Sequence, residues 1–162
     1  MEPSINRFWT SYLNNFSDLR ITIKATCYDL NSPDKKQSVF DSLNNTIHSL
    51  LDYWERIKRN DSISVEIKKI MRAFAYANNK LKHENNLISV ETRKDGFSFP
   101  ITFPLIIEQV RYEWADLDYI RRENANQEND FQQYCCFLKK KEIIVSLESV
   151  ASLISPDALK DE

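Results

Sequence analysis

The stretch VFDSLNNTIHSLLDYWERI, residues 39–57, decides the fold class. Its apolar residues Val39, Phe40, Leu43, Ile47, Leu50, Leu51, Trp54 and Ile57 recur at intervals of three and four. That spacing gathers them on one face of an α-helix and leaves the other face to polar and charged groups. Ser32, Pro33 and Asp34 stand just ahead and mark the start. A stripe this wide has to be buried against other elements, so the flanking sequence should carry matching faces.

It does on both sides. From about Pro3 to Cys27, with Ser4 as a cap signal, Ile5, Phe8, Trp9, Tyr12, Leu13, Phe16 and Leu19 repeat the three-and-four spacing. A third helix is predicted from Asp61 or Ser62, where Asn60-Asp61-Ser62 offers caps, through Ile63, Ile67, Ile70, Met71, Phe74, Ala77 and Leu81 to about His83. The chain holds one glycine, Gly96, and prolines at 3, 33, 100, 104 and 156, so residues 34–95 and 105–155 contain neither helix breaker.

The pattern then changes. Residues 86–104, NLISVETRKDGFSFPITFP, set β-branched and aromatic residues on both sides of Lys94-Asp95-Gly96, a hairpin signal in which Pro100 restricts the second arm to an edge. Pro104 suits the first turn of a fourth helix bearing Leu105, Ile106, Val110, Trp114, Leu117 and Ile120. A last helix or pair of helices covers about Glu128 to Ile154. The fold expected is all-α, a four- or five-helix up-down bundle with a small β-hairpin inserted after the third helix at about 87–103. It forms one domain over 1–156, followed by a polar tail over 157–162.

Composition excludes several roles. A formal net charge of −2 supplies no global attraction for nucleic acid, which leaves only local patches such as Lys139, Lys140 and Lys141, and these read first as a solvated helix face. No run approaches the ~20 apolar residues needed to cross a bilayer, and MEPSINRFW has no basic-then-apolar leader, so no membrane role and a cytoplasmic location are expected. Cys27, Cys135 and Cys136 have no metal or redox spacing and read as small buried hydrophobes.

The chemistries common in helical bundles also lack their residues. Di-iron sites need Glu-x-x-His pairs; the residue three before His48 is Asn45, and His48 reads as exposed and inert. Zinc lacks a ligand set, and one glycine builds neither a phosphate loop nor a nucleophile elbow. No cofactor and no metal are expected.

The third helix is different. At about 100° per residue, Asn79 and His83 fall within about 20° of Arg72, opposite the stripe formed by Ile70, Phe74 and Leu81, and Tyr76 lies close by. Asn78-Asn79-Lys80-Leu81-Lys82-His83-Glu84, at the end of this helix, resembles the signature of the HEPN family, Arg-Asn-x-x-x-His. Asn79 and His83 match its asparagine and histidine. The resemblance covers the helical architecture and about six residues of sequence.

It implies a homodimer whose third-helix faces form a cleft, a metal-independent endoribonuclease chemistry, and a setting in toxin-antitoxin or antiphage defence with a cognate antitoxin protein as partner. In that chemistry a ribose 2′-OH attacks the adjacent phosphate. His83 would move the proton, as an imidazole with pKa near 6.5 can, Asn79 would accompany it, and a guanidinium would hold the charge developing on the phosphate. Asn78, Lys80, Lys82, Arg72 and Tyr76 would contact the RNA.

The family arginine, however, is replaced by Asn78, and a neutral amide cannot supply a fixed charge. Arg72 lies about 16 Å from His83 along the helix, so it reaches the same phosphate only from a second protomer. Three readings remain open: a degenerate HEPN-like protein associated with RNA, an active ribonuclease, and a structural interaction bundle whose hairpin offers an edge to a partner strand. In the last, His83 is a helix-terminal histidine beside the final carbonyls.

Overall fold

Helical periodicity becomes five helices and two strands among the described residues. The computed structural model describes residues 3–26, 33–83, 87–97, 105–117 and 125–159. Helix α1 (Pro3–Thr26) starts on its proline, whose missing N–H costs nothing in a first turn, and α2 (Pro33–Ile57) starts the same way.

The two helices run antiparallel, as three contacts along their length show. The Arg56 guanidinium sits 4.6 Å from the Phe8 ring centre, the Thr46 hydroxyl donates to the Asn15 carbonyl at 3.0 Å, and the Thr22 and Ser42 hydroxyls meet at 3.3 Å. Between them Tyr12, Phe16 and Leu19 pack with Val39, Leu43, Ile47, Leu50 and Tyr53. Full burial of each such aliphatic or aromatic side chain contributes about 1.5–3 kcal/mol, which is why the stripe at 39–57 decides the architecture.

Helix α3 (Val65–His83) begins three residues later than the Asn60-Asp61-Ser62 signal predicts. Those residues make a turn instead: Asn60 Oδ1 accepts from the Ser62 N–H at 3.1 Å and from its hydroxyl at 3.0 Å. Ser64 is the cap, its Oγ accepting from the Ile67 N–H at 3.2 Å.

A hairpin follows α3, as expected, but with a different second arm. Strand β1 (Ile88–Phe97) pairs antiparallel with β2 (Leu105–Trp114), in register from Ile88 opposite Trp114 to Phe97 opposite Leu105. Lys94, Asp95 and Gly96 are ladder residues rather than the turn. The arm predicted after them falls largely on 98–104, outside the described residues. The helix predicted from Pro104 to Ile120 is a strand as far as Trp114. Ile106, Val110 and Trp114 are spaced by four, which fits one face of a helix and equally one face of a strand. Half-buried Arg111 and Glu113 alternate with buried Tyr112 and Trp114, the strand solution.

The final apolar segment is a pair, α4 (Ala125–Phe137) and α5 (Ile143–Ile154). Lys140 breaks it with φ of 58°, and the N–H groups of Leu138 and Lys139 both donate to the Tyr134 carbonyl. This turn is stitched to the base of the hairpin. The Trp114 N–H donates to Lys141 O at 3.0 Å, the Lys140 N–H to Trp114 O at 2.9 Å, and Glu113 bridges Glu142. Lys139 and Lys140 both pair with Asp116, which holds that carboxyl below its ordinary range.

Helix α5 closes the core over α1 and α2. The Tyr12 hydroxyl donates to Leu147 O at 3.0 Å, the Tyr53 hydroxyl to Ile154 O at 2.9 Å, and Arg20 pairs with Glu148 at 3.1 Å. Burial pushes the Tyr53 phenol up to about 12 and raises Tyr12 as well. No helix among the described residues is long and apolar enough to cross a membrane.

Candidate functional site

The residues singled out on α3 divide by burial. Met71, Ala73, Phe74, Tyr76, Ala77, Asn78, Lys80 and Leu81 are buried, an arc of roughly 220° at 100° per residue. The stripe of Ile70, Phe74 and Leu81 is therefore only the middle of a much wider buried face. Arg72, Asn79 and His83 fall outside the arc and are exposed together, as their spacing predicts, and Lys82 and Lys68 border them.

Tyr76 is not on that exposed strip. Helix α4 lies over it, with Phe131 and Tyr134 ring centres at 5.6 and 5.3 Å, and it is 6% exposed. Lys80 is buried on the same side, its ammonium 5.9 Å from the Tyr76 ring centre. The aromatic pair on α4 explains both, since an aliphatic lysine stem and a tyrosine ring are each covered well by aromatic surface. Tyr134 is itself tied down by donating its hydroxyl to Ala115 O at 2.7 Å, and burial raises its phenol. Arg72 borders the same contact, its Nε 3.7 Å from Asp130 on α4, whose carboxyl burial pushes up while Arg72 pulls it down.

Asn78, in the family's arginine position, points inward. It is 7% exposed, and its Oδ1 is buried without a hydrogen-bond partner, as is Trp114 Nε1. Trp114 packs edge-on against Phe74, one helical turn before Asn78, with ring centres 6.0 Å apart. A guanidinium here would have to leave water, so the local structure suits a neutral side chain.

Asn79, Lys82 and His83 thus sit on an open, convex helix face. Cavities of about 330 and 200 Å³ lie elsewhere, between α2 and the hairpin and between α3 and α5. Such a surface can present cations and hydrogen-bonding groups to a polyanion, with Lys68, Arg72 and Lys82 spread over about 21 Å and Arg72 sharing its charge with Asp130 of α4. Sequence reasoning missed Lys68, although its spacing of four from Arg72 was the signal.

Other sequence expectations need correction. His48 is half-buried rather than exposed, and Cys136 is exposed rather than buried, because it points about 200° away from core-facing Tyr134 on α4. Cys135 is half-buried, and burial raises its thiol. No cluster of three or more histidine, cysteine or carboxylate side chains able to hold a metal occurs among the described residues. No family model, no curated protein and no solved structure matches the chain, so the likeness to the HEPN signature rests on Asn79, His83 and the helical architecture alone.

Proposed function

We propose that the protein is a degenerate HEPN-like module of a toxin-antitoxin or antiphage system, one that associates with RNA through the exposed strip of α3 and does not cut it. The observation that carries this reading is the split at the signature. Asn79, Lys82 and His83 face solvent beside Lys68 and Arg72, while Asn78, standing where the family has its arginine, is buried.

The strip's lysines and arginine meet phosphates, and Asn79 and His83 add hydrogen bonds to sugar or base. Cleavage needs a cation held against the phosphate that also meets His83. Arg72 is about 16 Å away along the helix and engaged with Asp130, so one chain does not assemble that pair.

The test combines binding and cleavage of single-stranded RNA with chelator present. Binding without cleavage is expected, with Lys68→Glu and Lys82→Glu each weakening it and each lowering the slope of log affinity against log salt by about one. Chelator-resistant cleavage that disappears in His83→Ala would replace this reading with an active endoribonuclease. Absence of RNA binding would leave the strip as plain solvent surface.

A further inference from the structure

One cation of the signature strip already has an anion beside it. Arg72 Nε lies 3.7 Å from Asp130 Oδ1 on α4, whereas Lys68 and Lys82, on the same face of α3, have no carboxylate partner among the described residues. We propose that Asp130 is a built-in competitor for phosphate at Arg72, a carboxylate on a neighbouring helix that holds down the affinity of the α3 strip for RNA. The inference rests on the RNA reading above and adds to it the residue that regulates the site.

Asp130 keeps its place because its neighbours are fixed. Phe131, next in sequence, and Tyr134 pack on Tyr76 with ring centres at 5.6 and 5.3 Å, which fastens α4 over α3 and leaves the Asp130 side chain 32% exposed. Arg72 is freer, with 53% of its side chain in water. At 3.7 Å the two charges attract without a hydrogen bond, so Asp130 occupies none of the guanidinium N–H donors. A phosphate can take those donors bidentately.

RNA therefore meets a guanidinium able to bind it and a carboxylate that opposes it. Where Arg72 stays beside Asp130, the incoming phosphate comes within about a Debye length, ~8 Å, of a like charge and is incompletely screened from it. Where Arg72 swings out to the phosphate, Asp130 loses its cation and takes another from solution. Either way part of the attraction is cancelled. The second route also marks the salt dependence, because the cation taken up by Asp130 offsets one of those released from the RNA. Both charges are partly exposed, so the effect is a matter of a few-fold in affinity.

Binding of single-stranded RNA across a salt series tests the inference, with thermal melts to check each variant's fold. Asp130→Asn, which keeps the shape and removes the charge, should bind about two- to fivefold tighter than wild type, with the slope of log affinity against log salt steeper by up to about 0.7. Asp130→Glu, which keeps the charge, should stay near wild type. The gain should vanish when Arg72→Gln is also present, a coupling that a general change in net charge does not produce. Asp130→Ser takes the place of Asp130→Asn if the amide lowers the melting temperature. Wild-type binding that Lys82→Glu weakens and Asp130→Asn leaves unchanged overturns this inference alone, and so does a gain that persists beside Arg72→Gln. Absence of RNA binding by both wild type and Asp130→Asn removes the RNA reading, and this inference with it.

Discussion

Asn78 is a buried amide with one oxygen left unpaired, and such an atom costs about 1–3 kcal/mol of stability. Asn78→Leu, which has the same branching at Cγ and no orphan oxygen, should raise stability by about 1 kcal/mol in urea denaturation. Asn78→Arg, which restores the family residue, should instead lower stability by about 2–4 kcal/mol and confer no cleavage, because the guanidinium is driven into a site 7% exposed. A stable Asn78→Arg protein that cleaves RNA would show that the position opens to solvent, contrary to the packing described. The exposure of Arg72, Asn79 and His83 was readable in advance because helical angle alone decides it. The burial of Tyr76 and Lys80 was not, since angle says which way a side chain leaves α3 but not that Phe131 and Tyr134 arrive from a helix far along the chain.

Among the elements, α1, α2, α3 and the terminal helical pair follow from apolar spacing, and the hairpin's existence follows from its β-branched run. Its second arm does not. A repeat of four satisfies both periods, and Lys94-Asp95-Gly96 offered a nearer turn than the one the chain uses. The rest of β2's identity comes from partners, namely β1 along one edge and the Lys140–Glu142 segment at the base. That segment depends on a left-handed residue, which costs a non-glycine about 1–2 kcal/mol. Lys140→Gly should therefore leave stability unchanged or raise it by about 0.5 kcal/mol, after its own entropy cost and the loss of an exposed ion pair to Asp116. Lys140→Val, β-branched and forced to positive φ, should lower it by at least 1 kcal/mol, roughly. Equal effects of the two substitutions would show that the turn relaxes.

Across the whole molecule, phenols hold distant parts together, among them Tyr12 and Tyr53, which reach α5, and Tyr134, which reaches Ala115. Each has its pKa raised in the fold relative to the unfolded value near 10, Tyr53 to about 12. Their contribution is complete below about pH 10 and is lost as pH rises through the folded values. Alkaline titration should thus show these tyrosinates appearing, by absorbance near 295 nm, together with loss of helical ellipticity rather than before it. Tyr53→Phe should be less stable than wild type by about 0.5–1.5 kcal/mol at pH 7, with the gap narrowing above pH 10. A gap that is unchanged by pH would remove Tyr53 from the alkaline transition.

The same two hydroxyls set an order of events in the cell. Tyr12 and Tyr53 bond to carbonyls 135 and 101 residues further on, so the helices made first are completed by the one made last. During synthesis at ~5–20 residues per second, the α1–α2 pair therefore waits for several seconds with the surface meant for α5 uncovered. Until α5 clears the ribosome the α1–α2 pair keeps that apolar surface in water, and a premature stop ahead of Ile143 should release a product that cannot close its core.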